Sequence, residues 1–352
     1  MLLYIHIPFC DSKCFYCAFN SYTSLHSLRD DYMDALKLQL EDGLKKNNKQ
    51  IETIFIGGGT PSTIKAHKYQ NIMNIVKPYL KENCEITIEA NPNSATKEWL
   101  EEIYQIGINR VSFGVQSFDD EKLKFLGRNH NKEHAIEAIN YAKQVGFENI
   151  NCDIIYDTTH DTKELLENDL SIIKNLPINH ISAYSLTLEE GTKFFNKSNV
   201  QFENEKLARF LFKEFEKLGF EQYEISNFAM DEKARSKHNL GYWQYKEYLG
   251  VGSGAVGCID NKRYYSQKDV LKYIKNPLKY DDIEDLNEND VLIEKVLLGF
   301  RSIVGVNTNE LNEISNKKAQ ILIETGKIEQ IDNMIYSKDF MLADELSLYL
   351  EI

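Results

Sequence analysis

Short apolar runs alternate with longer amphipathic stretches through the first two thirds of the chain. The runs LLYIHIP from Leu2, ETIFIGG from Glu52, EITIEAN from Glu85, RVSFGVQ from Arg110, NINCDIIY from Asn149 and HISAYSL from His180 are rich in apolar and β-branched residues. They read as strands buried on both faces. Between them, RDDYMDALKLQLEDGLKK, AHKYQNIMNIVKPYLK, KEHAIEAINYAKQVG and TKELLENDLSIIKNL repeat apolar residues at spacings of three and four, and Gly or Asn often closes the run. That is the pattern of helices with defined ends. Six strand–helix units in succession imply a parallel sheet with helices outside, which an open doubly wound sheet or a barrel satisfies equally.

After about residue 220 the rhythm breaks. QYEISNF adds a strand, and an aromatic, glycine-rich stretch follows, KHNLGYWQYKEYLGVGSGAVG. The acidic run DDIEDLNEND, Asp281 to Asp290, reads as a solvated linker. Beyond it, VLIEKVLLGFRSI, KKAQILIETG, KIEQIDNMIYS and DFMLADELSLYLEI predict helix, helix, hairpin and helix, a small winged-helix-like α+β domain. The pattern divides the chain at about residues 225 and 285, giving segments 1–225, 226–285 and 286–352.

Length and charge narrow the functional classes. With 352 residues the chain buries a full core. Its 41 Lys and Arg against 54 Asp and Glu, a net charge of −13, argue against broad affinity for nucleic acid or anionic lipid. The final segment DFMLADELSLYLEI is acidic and lacks the basic face of a DNA reader. With no apolar run long enough to span a bilayer and no charged leader ahead of LLYIHIP, a cytoplasmic protein is expected.

The chemistry concentrates in HIPFCDSKCFYCAFN, where Cys10, Cys14 and Cys17 form C-x3-C-x2-C directly after the first strand. Thiolates this close can converge on a soft metal centre. Zinc competes for such a site, with His6 as a fourth ligand, whereas three thiolates on a [4Fe-4S] cluster leave one iron open. Cys84, Cys152 and Cys258 are scattered and read as small buried hydrophobes. GSGAVG, Gly252 to Gly257, fits a dinucleotide-binding pattern, but no strand and helix frame it.

The cysteine motif together with GGGTP at Gly57 to Pro61 resembles the radical S-adenosylmethionine (SAM) superfamily. YIHIPFC, GGGTP, IEANP, GVQSF and CDIIY are similar to its branch holding oxygen-independent coproporphyrinogen III oxidases and haem chaperones, over nearly the whole chain. The resemblance implies a partial (β/α)6 barrel over 1–225, with cluster and SAM at the C-terminal ends of the strands, where barrels carry their sites. It implies that Cys10, Cys14 and Cys17 hold a [4Fe-4S] cluster whose open iron takes SAM. Gly58, Gly59 and Thr60 would approach the SAM amino group, and Tyr4, Tyr16, Glu89, Gln116, Arg128 and Asp153 would complete the site. One turn departs from the family pattern: Asp157, Thr158 and Thr159 stand where Gly-Leu-Pro is usual.

Between the two activities of that branch, three features favour the haem chaperone. Phe19 stands where the oxidases carry a further cysteine, the segment before Cys10 is short, and HNLGYW matches the haem motif H-N-x-x-Y-W. In that motif His238 is expected to ligate the iron, with Asn239, Tyr242 and Trp243 beside the macrocycle and Arg235, Lys237 and Arg263 as candidates for the propionates. The implied partners are haem and recipient haemoproteins such as respiratory enzymes, with peripheral membrane association and a homodimer. The alternative activity is radical oxidative decarboxylation of coproporphyrinogen III.

Overall fold

The computed structural model describes residues 1–350. At its centre lie six parallel strands, β1 (Leu2–Ile7), β2 (Ile51–Gly58), β3 (Leu80–Ala90), β4 (Arg110–Gln116), β5 (Asn149–Tyr156) and β6 (His180–Ser185), each beside its sequence neighbour. The crossovers carry α1 (Arg29–Asn47), α2 (Ala66–Val76), α3 (Lys97–Gln105), α4 (Asp120–Leu126), α5 (Lys132–Val145) and α6 (Lys163–Ile173), and α7 (Glu205–Lys217) follows β6. Side chains of Thr96, Asp119, Asn131, Thr162 and Asn204 accept the third amide of the helices they precede, so the polar residue at each entry is a cap.

The two faces of this sheet differ in chemistry. Leu3, Ile5 and Ile7 of β1 are fully buried in the main core with Tyr32, Leu36 and Leu40 of α1. Register sets the opposite face: Phe55 opposes Tyr4, Glu85 opposes Thr53, Ser112 opposes Glu89, and Ser182 opposes Asp153. Both faces are covered as expected, but the inner one is polar and most of its groups are paired, the hydroxyl of Thr87 being an exception. Asn151 donates to Ser112 and Asp153, His180 bonds Asn151 and Tyr223, and Arg110 donates to the carbonyl of Ala234. Burying these groups is tolerable because each has a partner.

The sheet extends at both edges. Past β6 come β7 (Glu221–Gln222) and β8 (Asn227–Ala229); then α8 (Lys237–Trp243) leads to β9 (Tyr248–Val251), parallel to β1. β10 (Val256–Ile259), β11 (Lys262–Ser266), α9 (Val270–Lys275) and β12 (Tyr280–Asp285) complete twelve strands. GSGAVG therefore turns β9 into β10. The expected linker is also corrected: Asp281–Asp285 is an exposed edge strand paired with β11, with Lys262–Asp285 at 2.7 Å, and Asn287 and Asp290 cap the next helix. A charged edge strand discourages further pairing, and its composition is that of a linker.

The chain ends in α10 (Glu288–Phe300), β13 (Val306–Asn307), α11 (Glu313–Glu324), β14 (Ile328–Ile331), β15 (Met334–Ser337) and α12 (Ala343–Leu350). These elements enclose their own apolar cluster, including Val296, Phe300, Leu322, Ile335 and Leu346. No helix of the described residues is long and apolar enough to cross a membrane.

Candidate cluster and cofactor site

The three loop cysteines lie at the C-terminal end of β1 as free thiols, Cys10 buried and the other two half-buried. Several bonds shape the loop. Cys10 N–H donates to Tyr22, Phe15 N–H to Leu126, and Lys13 Nζ to the carbonyl of Phe19 at 2.7 Å and Ser21 Oγ at 2.6 Å. Two side chains from outside the loop reach the sulfurs: Thr60 Oγ1, past the end of β2, donates to Cys10 Sγ at 3.3 Å, and Arg128, between α4 and α5, donates to Cys14 Sγ at 3.1 Å. Burial raises the Cys10 thiol, and the bond from Thr60 works against that rise. Among the described residues no three His, Cys, Asp or Glu side chains close on one point as a single metal ion requires. A donor set of three soft sulfurs on one loop fits a cluster, whose irons occupy separate corners.

Beside the loop, Gly57, Gly58 and Gly59 are fixed by close approach. A Cβ at Gly57 would lie 2.8 Å from Glu89 Oε2, one at Gly58 2.4 Å from the His6 ring, and one at Gly59 2.8 Å from the carbonyls of Ile7 and Phe9. Gly58 also has φ +112°, outside the comfortable range of a side-chain residue. The amides of Gly58, Gly59 and Thr60 donate to Glu89, Ile7 and Phe9. An ammonium group only donates, so this backbone serves one through its carbonyl oxygens and not through its amides.

Glu89 and Asp153 place two carboxylates on the inner face. Burial, with repulsion from Asp153 added, raises Glu89 to about 7. Burial raises Asp153 to about 6, against bonds from Asn151 at 2.6 Å and Ser112 at 3.4 Å. Two carboxyls held toward neutrality by desolvation form a ready site for a cation. Arg128 bonds Asn91 at 2.6 Å and the carbonyl of Gly114. A Cβ at Gly114 would meet both Arg128 and Gln116 at 3.1 Å, so these two residues adjoin. A register shift at the end of β4 and φ +75° at Gln116 turn that side chain inward. Tyr16 packs beside Leu126, Ile155 and Phe194, while Tyr4 bonds His6 Nδ1 at 2.9 Å and stacks on Phe55.

The variant turn after β5 is rebuilt with hydrogen bonds. Asp157 takes φ +62°, a conformation Asp tolerates better than most residues, and accepts from Ser185 at 2.8 Å and Asn204 at 3.1 Å. Thr158 donates twice to Asp161, which pairs with buried Lys122 at 2.5 Å.

The HNLGYW segment forms α8, its first amides donating to Glu85 at 3.0 and 3.1 Å. Gly241 admits the helix against β1, since a Cβ there would meet Leu2 at 2.7 Å. The expectation of an open imidazole ligand is not met in this arrangement. His238 is 1% exposed, with Nδ1 bonded to Thr53 at 2.7 Å and Nε2 to Tyr242 at 3.0 Å. Burial lowers its pKa to about 3 and keeps it neutral. Asn239 N–H donates to Ser236 Oγ at 3.3 Å, and Trp243 buries an indole N–H without a partner among the described residues. Tyr242 does face a cavity of about 820 Å³, with Tyr4, Phe19, Cys258 and Arg263 also in its wall. Of the basic candidates, Arg263 reaches this wall; Arg235 instead pairs with Glu221 at 3.3 Å. Sequence reasoning missed Glu85, Thr53 and Cys258, because only strand register brings them to the motif.

Comparison with known proteins places this architecture. Residues 4–172 match the radical SAM superfamily. The chain is 34% identical to the haem chaperone HemW of Bacillus subtilis over 95% of this chain and 94% of the other. It is 36% identical to HemW of Escherichia coli over 73% of this chain and 70% of the other. In three dimensions the coproporphyrinogen III oxidase HemN of Escherichia coli, a radical SAM enzyme, superposes with a TM-score of 0.84 at 19% identity, covering 99% and 89% of the two chains. At that identity the likeness concerns the fold, a partial β/α barrel followed by a small C-terminal domain. The extent and identity of the sequence matches show that the chain belongs to the HemW haem-chaperone family of the radical SAM superfamily.

Proposed function

We propose that this protein binds haem and passes it to haemoproteins, respiratory enzymes among them, with a [4Fe-4S] cluster on Cys10, Cys14 and Cys17 and SAM beside it. The observation that carries the reading is a donor-ringed trio of thiols adjoining a buried carboxylate pair, in a chain matching named haem chaperones almost end to end. The cluster would supply an open iron for the SAM amino and carboxylate groups. The chain's own groups orient the ligand: carbonyls of the glycine turn and Glu89 and Asp153 attract its cationic end, and Arg128 and Gln116 bound the opposite side. Tyr4 and Tyr16 restrict water from the site. His238 acts here as a positioning residue, holding the hydroxyl of Tyr242 at the cavity wall. A homodimer and a peripheral association with the membrane, where respiratory recipients reside, belong to the same reading.

The test is transfer. Cluster-reconstituted protein loaded anaerobically with haem is mixed with an apo-haemoprotein, and the recipient's Soret band and activity are followed. Expected is transfer faster than from free haem; no transfer, with decarboxylation of coproporphyrinogen III by the same preparation, would replace the chaperone reading with the oxidase one.

A further inference from the structure

The polar inner face of the sheet continues past β1. Gly250 of β9 opposes Tyr4, Tyr248 of β9 opposes Cys258 of β10, and Cys258 opposes Arg263 of β11. Directly opposed residues share a face, so Tyr248, Cys258 and Arg263 form one row across three strands, and Tyr4, two residues along on β1, lies on the same face. All four line the 820 Å³ cavity, a volume within the roughly 300–1,000 Å³ of small-molecule sites. Leu297, Leu298 and Glu294 of α10 roof it, and Ala18 and Phe19, just past the last cluster cysteine, close one end.

The lining suits a flat, largely apolar ligand with acidic edges. Tyr4, Tyr242, Tyr245 and Tyr248 supply rings, and Lys268 supplies an ammonium with no ion-pair partner among the described residues. Its groups able to bind iron are nearly all engaged. His6 bonds Tyr4 and the carbonyl of Asn20, Tyr242 bonds His238, and Tyr245 bonds Glu294. The Cys258 thiol has no hydrogen bond among the described residues, and its register partner on β11 is Arg263, whose guanidinium pairs with Glu284 and Glu294.

Resting on the haem-carrying reading above, we infer that this cavity is the haem site, with Cys258 Sγ as the protein ligand to iron and Lys268 at a propionate. On coordination the S–H bond is replaced by S–Fe and the proton leaves to solvent, with no change in oxidation state. Arg263, already paired with Glu284 and Glu294, offsets part of the charge on sulfur. The ligand would then lie beside the cluster loop, with Phe19 between the two centres.

The experiment is a haem titration of the full-length, cluster-reconstituted protein followed by its Soret band, for the wild type, Cys258→Ser and Val256→Trp, the last filling the cavity from β10. Circular dichroism and iron and sulfide content establish that each variant is folded and loaded. Expected for the wild type is saturable binding and, on reduction under carbon monoxide, the strongly red-shifted Soret band of thiolate-ligated haem. Cys258→Ser should lose that band, and both variants should bind at least tenfold more weakly. Wild type that binds haem, with variants equal to it in affinity and spectrum, overturns the cavity assignment and leaves the haem reading intact. Loss of binding in Val256→Trp without a thiolate spectrum in the wild type overturns the role of Cys258. Wild type that binds no haem overturns the reading on which the inference rests.

Discussion

Glu89 shows how a single side chain links the candidate cofactor site to stability. Its carboxyl, at about 7 in the folded protein against an ordinary 4.5, holds a proton that the unfolded chain has already released. Native protein therefore binds more protons than unfolded protein between those values, and its stability falls as pH rises through that window. Asp153, raised from 3.8 to about 6, acts in the same direction. Glu89→Gln should flatten this slope and raise the melting temperature of the ligand-free protein by a few degrees at pH 8, while weakening SAM binding; melting curves across pH 4 to 8 and calorimetric titration check both effects. The cysteines allow a second contrast. Cys14→Ala should abolish the brown cluster absorbance, and Cys84→Ala, whose sulfur is buried in the main core and donates to the carbonyl of Glu85, should retain it. Undiminished iron and sulfide in the first variant would remove Cys14 from the cluster.

At the scale of elements, the turn after β5 replaces a Gly–Pro turn with a hydrogen-bonded cage. Its centre is the Lys122–Asp161 pair, whose side chains are 0% and 3% exposed; Lys122 also donates to the carbonyl of Ile155 at 2.7 Å. Removing one partner of such a pair strands a buried charge and costs about 3–5 kcal/mol, whereas replacing both with apolar residues is often neutral. Asp161→Asn should lower the melting temperature by several degrees, and the double change Lys122→Met with Asp161→Leu should recover most of the loss. Equal stability of the single variant and the wild type would show that the cage contributes little. The sequence announced the departure at Asp157 but not its remedy, because Lys122 lies in α4 and reaches the turn only after the crossover is packed.

In the whole molecule, Glu294 joins the C-terminal elements to the extended sheet. It accepts two bonds from Arg263, at 2.6 and 2.7 Å, and one from Tyr245 at 2.9 Å. The pair is part-exposed, so its contribution is on the order of 1 kcal/mol and sensitive to salt. Glu294→Gln should speed hydrogen exchange in α10 a few-fold while leaving β1 to β6 unchanged, and identical exchange throughout would mean that apolar contacts alone seat this helix.

The strand–helix rhythm, the cysteine loop and the glycine turn were legible in the sequence because each depends on local geometry: periodicity, loop spacing, and the absence of a side chain. The family motifs added which residues meet at the strand ends. Tertiary structure decided what depends on register. It brought Glu85 to the first amides of α8 and Thr53 to Nδ1 of His238, whose Nε2 is taken by Tyr242 of the same helix, so that a histidine that by motif alone reads as an iron ligand has both nitrogens bonded. It paired an acidic run as an edge strand, and it placed Cys258, read as an ordinary buried cysteine, beside Tyr248 and Arg263 and on one face with Tyr4. These residues are far apart in the chain, and the hydrogen bonds between strands that carry no side-chain identity set which of them face one another.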